Sequence, residues 1–456
     1  LINMTSIPQE LRLAEAGLEY VETNPFTVSF FPDGSCVRFY RSVERTCEEL
    51  ARFSAEDAEA YAAFVRQAEP VAELALAAFR RSADDYSRLA EGRRWVAEAG
   101  RLLQRVNLKR LASSLVGPYG ALLRERFATE KARMGLVTLA AHGSLGPHTP
   151  GAAFFVFWQA AYHRYGNWHA RGGSGALARA LRRRLEAWGG TVRTASPVAR
   201  IRADARVRGV VLRDGAAVDA RNVVAAVNPQ TALLELLGAD ALPAGMARRL
   251  GARHRANAVQ FVVHAALDRL PPWTGARPDV WNGLQSVGTS VAQVRQNFAE
   301  AEAGRAPSRP AVYVYTPSAI DPTVAPAGKH TAYVACASYP ARFADGSSWD
   351  ERGEREAHRL LDAVEARAPG FKASITGLAW RHAADWERTI GLPDGHPMHL
   401  DITADQVGPF RPLPELSDHR TPVSGLYLTG AGTAPAGGVA AVPGRAAAKM
   451  LLRDDG

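Results

Sequence analysis

Gly425-Leu-Tyr-Leu-Thr429 runs directly into Gly430-Ala-Gly432, and Gly437-Gly-Val439 follows within the next seven residues. A short apolar, β-prone run that stops at closely spaced glycines reads as a buried strand ending in a tight turn. The small-residue stretch Gly438–Leu452, carrying Arg445 and Lys449, reads as the helix that comes next. Glycine lets backbone approach a ligand closely. A helix N-terminus near Gly438 and Val439 would offer free N–H groups and a partial positive charge. Tight strand–helix packing would explain the same glycines, so spacing alone leaves both readings open.

A second α/β unit lies upstream. Arg171-Gly-Gly-Ser-Gly-Ala-Leu177 leads into a helix expected over Ala178–Trp188, ended by Gly189-Gly190 as a left-handed cap would end it. Strands are expected at Thr191–Thr194, Val198–Arg202, Val207–Arg213, Ala217–Asp219 and Val223–Val227, with Asp214-Gly215 as a hairpin turn. Gly173-Ser-Gly175-Ala-Leu-Ala178 satisfies GxGxxA in form. The polar Asn167–Arg171 before it is not the buried strand that a dinucleotide-binding loop requires.

The rest is of a different character. Phe26–Phe31 has strand composition and Pro32-Asp33-Gly34 turn chemistry. Ser54 with Asp57 reads as a helix start, a carboxylate variant of the capping box. Helical spacing then continues to about Gly143, including an Arg-rich amphipathic pattern from Tyr86 to Val106. Phe154, Phe155, Phe157, Trp158, Tyr162, Tyr165 and Trp168 form an aromatic stretch suited to core packing or to an apolar pocket. Strands are expected at Val259–Ala265, Ala311–Tyr315 and Tyr333–Ser338, and a helix at Trp349–Ala368. The alternation of character divides the chain into residues 1–168, 169–230, 231–414 and 415–456, two interleaved domains each built from two pieces.

At 456 residues, 47% hydrophobic and 22% charged, the chain can bury a large core, and wholesale disorder is excluded. No run reaches the ~18 apolar residues of a spanning helix. Net charge is +9, and all but five of the 55 Lys and Arg residues are Arg. They are dispersed through Ala-rich helices, which argues for a solvated surface and against a nucleic-acid partner. Three cysteines form neither CxxC nor an even disulfide set, and the 12 His show no metal-ligand spacing. A phosphate loop, HExxH and GxSxG are all absent; His142-Gly-Ser-Leu-Gly146 lacks the first glycine of the last.

Several segments recur together: Asp385-Trp-Glu-Arg-Thr-Ile-Gly391, Asp405-Gln406, Arg411-Pro-Leu-Pro414, Thr421–Thr433, Gly437-Gly-Val439 and Pro443-Gly-Arg445-Ala-Ala447. With Gly166-Asn-Trp168, Arg171–Leu177, Pro197-Val198, Val223–Pro229, Asp321-Pro322 and Pro326–His330, they resemble the phytoene-desaturase-like FAD-dependent oxidoreductases. Within that family the chain is most similar to the branch called pyridine nucleotide-disulfide oxidoreductase domain-containing protein 2. Ala434, Ala436 and Ala441 stand where relatives usually carry His, Gly and Gly, and Ser174 replaces a common Met. The family opens with a strand, GxGxxG, a helix and a ribose-binding acid. This sequence starts at Leu1 beyond that unit, so the expectation is an N-terminally truncated record.

The resemblance implies an α/β, amine-oxidase-type FAD-binding domain, Rossmann-like and without its N-terminal βαβ here, interleaved with a mixed α+β substrate domain. It implies FAD as cofactor. Gly430, Ala431 and Gly432 would pass the pyrophosphate and ribitol. Gly438, Val439 and Ala440 would lie at the flavin pyrimidine, and Val198 would contact adenine through its backbone. The expected reaction is hydride transfer from an apolar or amine-bearing small molecule to flavin N5, with oxygen or a quinone as electron acceptor. His399 is the candidate polar group facing the flavin; a surface or hydrogen-bonded structural histidine is the plainer alternative. A carotenoid-type desaturase or isomerase and a non-catalytic scaffold are the competing readings. The expected location is cytoplasmic, with peripheral membrane contact left open.

Overall fold

The computed structural model describes residues 1–80 and 116–455, with Arg93, Ala97 and Gly100 between them. The expected pattern from Tyr86 to Val106 lies almost wholly outside the described residues. Strand β1 (Tyr20–Glu22) is followed by the hairpin of β2 (Thr27–Phe30) and β3 (Cys36–Phe39). At its tip Asp33 accepts hydrogen bonds from the Ser35 N–H and hydroxyl. The helix Ala55–Phe79 starts at Ser54, whose hydroxyl accepts from the Asp57 N–H at 3.1 Å. The expected reciprocal capping bond is not made. The Asp57 carboxylate is turned instead onto Ala128 N, Thr129 N and Thr129 Oγ1, at 2.6, 2.9 and 2.5 Å. It ties this helix to the start of the helix Glu130–Ala141, since those N–H groups have no partner of their own inside a helix.

β4 (Trp168–Ala170), not anticipated from its polar sequence, pairs only with β1. It is partly exposed, so the GxGxxA match behind it is not a dinucleotide loop. The helix Gly175–Ala187 is followed by Gly189 at φ +84°. The expected strand Thr191–Thr194 does not form. All four residues are exposed and unpaired; β-branched composition favours a strand only where an edge is available to pair with. β5 (Val198–Ala203), β6 (Val207–Leu212) and β7 (Ala217–Asp219) make an antiparallel meander, and β8 (Val223–Ala225) follows it.

β9 (Ala258–Leu267), β10 (Leu284–Ser286), β11 (Tyr313–Tyr315), β12 (His330–Pro340) and β13 (Ile375–Arg381) join β2 and β3 in a seven-stranded sheet. Its order is β13-β9-β12-β11-β10-β2-β3, antiparallel throughout except between β2 and β10. Successive residues point to opposite faces. Val262, Tyr313 and Ala335 pack against Tyr61, Phe64, Val137 and Phe157 of the helical layer. Val263, Val314, Val334 and Cys336 pack on the other face against the helix Trp349–Glu365 through Leu360, Leu361 and Val364. That helix carries a complete capping box between Ser348 and Glu351.

Finally β14 (Leu426–Leu428) pairs in parallel with β8, Leu426 opposite Val223 and Leu428 opposite Ala225. The last helix runs from Val442 to Asp455. Among the described residues no helix is long and apolar enough to cross a membrane.

Candidate functional site

The glycines after β14 are there for space. Gly430 adopts φ +93°, and a Cβ on it would meet the Ala226 carbonyl oxygen at 3.2 Å. A Cβ on Gly432 would sit 2.3 Å from Pro229 Cδ, an overlap that backbone cannot relieve cheaply. Thr433 closes the turn, its N–H and hydroxyl both donating to the Gly430 carbonyl at 3.1 and 2.9 Å. The following helix starts later than the sequence suggested. Gly438 at φ +109° and Ala441 at φ +59° are incompatible with α-helix, so the first helical residue is Val442 and not Gly438. Val439 is 67% exposed, while Ala440 is buried and spends its N–H on the Gly438 carbonyl. Val198 stands apart from these residues, on β5 opposite Leu212. Its meander joins β14 through the Val207 N–H, which donates to the Ser424 carbonyl at 2.9 Å.

Behind the turn lies a fully buried guanidinium. Arg411 donates to five backbone carbonyls, those of Ala431, Asp401, Gln406, Met398 and Leu400. Burial lowers its pKa to about 10, a fall opposed by nearby Asp401, and leaves it charged at neutral pH. The arrangement fixes the Ala431 carbonyl at the glycine turn to the loop that carries His399. Residues 396–411 contain almost no regular structure, so their carbonyls need such a donor.

His399 adopts φ +64°, and the Gly432 Cβ position is 3.4 Å from its own Cβ. Its carbonyl accepts from Asn228 Nδ2 at 2.8 Å. Nδ1 is buried with no hydrogen-bond partner among the described residues, so this is neither a surface nor a fully hydrogen-bonded histidine. Burial, then the neighbouring Arg411, His396 and Arg255, lower its pKa to about 4. It is neutral at pH 7.

The segment after the turn, Ala434–Gly438, lines a cavity of about 830 Å³; Gly430, Ala431 and Gly432 do not line it. Met398, Gly437 and Gly438 form one wall and Phe154, Phe155 and Trp158 another. The aromatic stretch therefore divides between roles. Phe157 is core, Tyr165 donates to Glu73, and Trp168 stands on β4. Sequence reasoning singled out His399 and the glycines but not Arg411 as a hub, although its motif was in view. Nothing local marks an arginine whose partners are all carbonyls. Among the described residues no group of His, Cys, Asp or Glu could hold a metal ion.

By family, the chain that carries this strand, glycine turn and apolar chamber is an FAD-dependent oxidoreductase of mixed α/β fold. Residues 24–347 match the family described as flavin containing amine oxidoreductase, and the chain belongs to that family. The chain is 31% identical to pyridine nucleotide-disulfide oxidoreductase domain-containing protein 2 of Rattus norvegicus, over 98% of this chain and 82% of that protein. Similarity extends to the all-trans-zeta-carotene desaturase of Myxococcus xanthus, 27% identical over 99% of this chain and 82% of that one. Among solved structures, a putrescine oxidase variant superposes with a TM-score of 0.58 at 15% identity, covering 98% of this chain and 86% of the other. That likeness is one of fold.

Proposed function

We propose that the protein dehydrogenates or oxidises an apolar or amine-bearing small molecule, with FAD held by residues 169–230 and 415–456. The observation that carries this reading is the cavity, bounded by the glycine segment on one side and aromatic rings on the other. The residues present fit the cofactor in that Gly430 and Gly432 pass Ala226 and Pro229 too closely for a side chain, which fixes the turn after β14 along which the cofactor would lie. Gly430, Ala431 and Gly432 would lie along its pyrophosphate and ribitol, and Gly438 and Val439 would offer backbone N–H groups to its pyrimidine. Ala440 would support that loop from beneath, and the Val198 backbone would meet the adenine. When bound, FAD accepts a hydride at N5 and passes the electrons to oxygen, a quinone or another acceptor.

The chain's own residues bind, orient and exclude water. Phe154, Phe155 and Trp158 give the substrate an apolar wall that keeps water out. His399, neutral and packed against the turn, supplies a dipole without adding charge. Arg411 holds the carbonyls of Ala431 and Met398 in place on either side of it. The same apolar chamber favours a second reading, a carotenoid-type desaturase or isomerase, with a polyene in the same place.

The test uses protein expressed from its complete reading frame. Its visible spectrum is recorded with and without added FAD, then bleaching is followed anaerobically with long-chain amines and with linear polyenes. Bound flavin that bleaches with one class is the expected result. A protein that stays colourless in excess FAD would overturn the proposal. Gly432→Val, which drives a side chain into Pro229, should abolish flavin binding.

A further inference from the structure

Among the described residues, the side chains with a nitrogen or oxygen that line the cavity are those of His142, Trp158, Gln159, Tyr162 and His419. The Trp158 indole can only donate, and the Tyr162 hydroxyl donates or accepts alike. Gln159 has its Nε2 2.6 Å from the Leu136 carbonyl and its Oε1 closed to water. His419 is only 1% exposed, with Nδ1 3.0 Å from the Leu428 carbonyl. His142 differs from all four.

His142 follows the helix Glu130–Ala141 as its cap. Its Nδ1 lies 2.7 Å from the Thr138 carbonyl, which can only accept, so Nδ1 carries the proton and Nε2 the lone pair. The ring packs against Tyr313, centroids 4.1 Å apart. One bonded nitrogen and one stacked flank hold it in a single setting. Burial lowers its pKa and keeps it neutral, yet the residue is partly open to water between buried Ala141 and Gly143. A ring deep enough to feel burial and still open to water faces an internal space, and the cavity is the space that it lines. Its Nε2 makes no hydrogen bond among the described residues and, unlike the Gln159 oxygen, is not closed off.

We infer that His142 is a specificity residue of the cavity: its Nε2, which can only accept, favours those apolar substrates that carry a hydroxyl or N–H to meet it. The inference rests on the proposed reading of this cavity as the substrate site. A ligand without a donor would displace water from Nε2 and leave the lone pair unmet, whereas a donor-bearing ligand replaces the bond that the water made. A site that bonds an OH or NH discriminates against the analogue lacking it far more strongly than an apolar wall can sense an extra methylene. Nothing in the placement of His142 requires it to move a proton.

The experiment reads binding, so it needs no turnover. Decan-1-ol and methyl nonyl ether, an isomer of the alcohol without its donor, are titrated calorimetrically into the FAD-loaded protein. The alcohol should bind about tenfold tighter. In nitrogen NMR of the histidine-labelled protein, the alcohol should move the His142 Nε2 resonance upfield, as a lone pair does on accepting a hydrogen bond, and the ether should not. His142→Phe, which keeps a ring against Tyr313, should remove the preference without weakening the ether, and it assigns the resonance. His142→Gln, which restores an acceptor, should recover part of the preference and serves if the phenylalanine variant fails to fold. The inference is overturned if the wild type binds the alcohol no better than the ether, absence of binding by both included. It is equally overturned if the Nε2 resonance ignores the alcohol, or if the preference survives in His142→Phe. Donor-selective binding with no flavin bleaching by any donor-bearing compound would count against the proposed function and leave the role of His142 standing. Bleaching without selectivity would do the reverse.

Discussion

Along β9 and β12 the buried apolar residues divide between two layers: Val262 and Ala335 face the long helices, while Val263 and Val334 face Leu360 and Leu361. Between His396 and Arg411 there is no such alternation; backbone carbonyls converge on one guanidinium instead. The first region is held by many interchangeable contacts and the second by one hub. Stability in an apolar layer falls by degrees as side chains shrink. A polar hub fails at once, because its removal leaves several buried carbonyls unmet. The part of the molecule that places the glycine turn is therefore also the part most exposed to a single substitution.

The sharpest test of that contrast sets Arg411→Met beside Leu360→Ala. Loss of the guanidinium should destabilise by about 4 kcal/mol, and the folded fraction should lose its flavin, because the Ala431 carbonyl is freed. Leu360→Ala should remove about 3 kcal/mol and leave flavin per folded molecule unchanged. Chemical denaturation with flavin absorbance reads both quantities. Equal flavin loss in the two variants would break the comparison.

Acid should find the loop region through His399. Its folded pKa is about 4, below the ordinary 6.5, so between those values the unfolded chain binds a proton that the folded one does not. Stability is thus full above pH 6.5 and falls as pH drops towards 4, on the order of 3 kcal/mol from this group. His142, His163, His382 and His419 are also lowered by burial and act in the same direction. In His399→Phe the fall in melting temperature between pH 7 and pH 4 should be shallower than in the wild type. An identical slope would show that the other histidines carry it.

The smallest effect belongs to Ala441, which holds φ +59° where relatives usually carry Gly. A Cβ is disfavoured there, so Ala441→Gly should raise stability by about 1 kcal/mol, read as a modest rise in melting temperature. A fall would mean that the methyl group packs well enough against Ile7 and Val442 to outweigh the strain.

Much of the architecture was legible. The meander from Val198 to Asp219 with its Asp214-Gly215 turn formed as read, because hairpin turn chemistry and β-branched composition are both local signals. The strand Leu426–Leu428 and its glycine turn were legible for the same reason. Thr191–Thr194 was misread because pairing depends on a neighbour the segment does not contain. The late start of the last helix was missed because a positive φ at an alanine has no sequence signature. Asp57 was placed at a helix start, yet its carboxylate serves another helix, some 70 residues on.

What the sequence determined by itself is the class of most elements, the glycine turn and the family, since each depends on residue types at short, fixed spacings. Only the tertiary structure decided which polar atoms end without partners and which single residue holds the site together. Arg411 is ordinary as a letter. It becomes a functional candidate because burial removes water from it and chain segments apart in sequence determine what it meets instead.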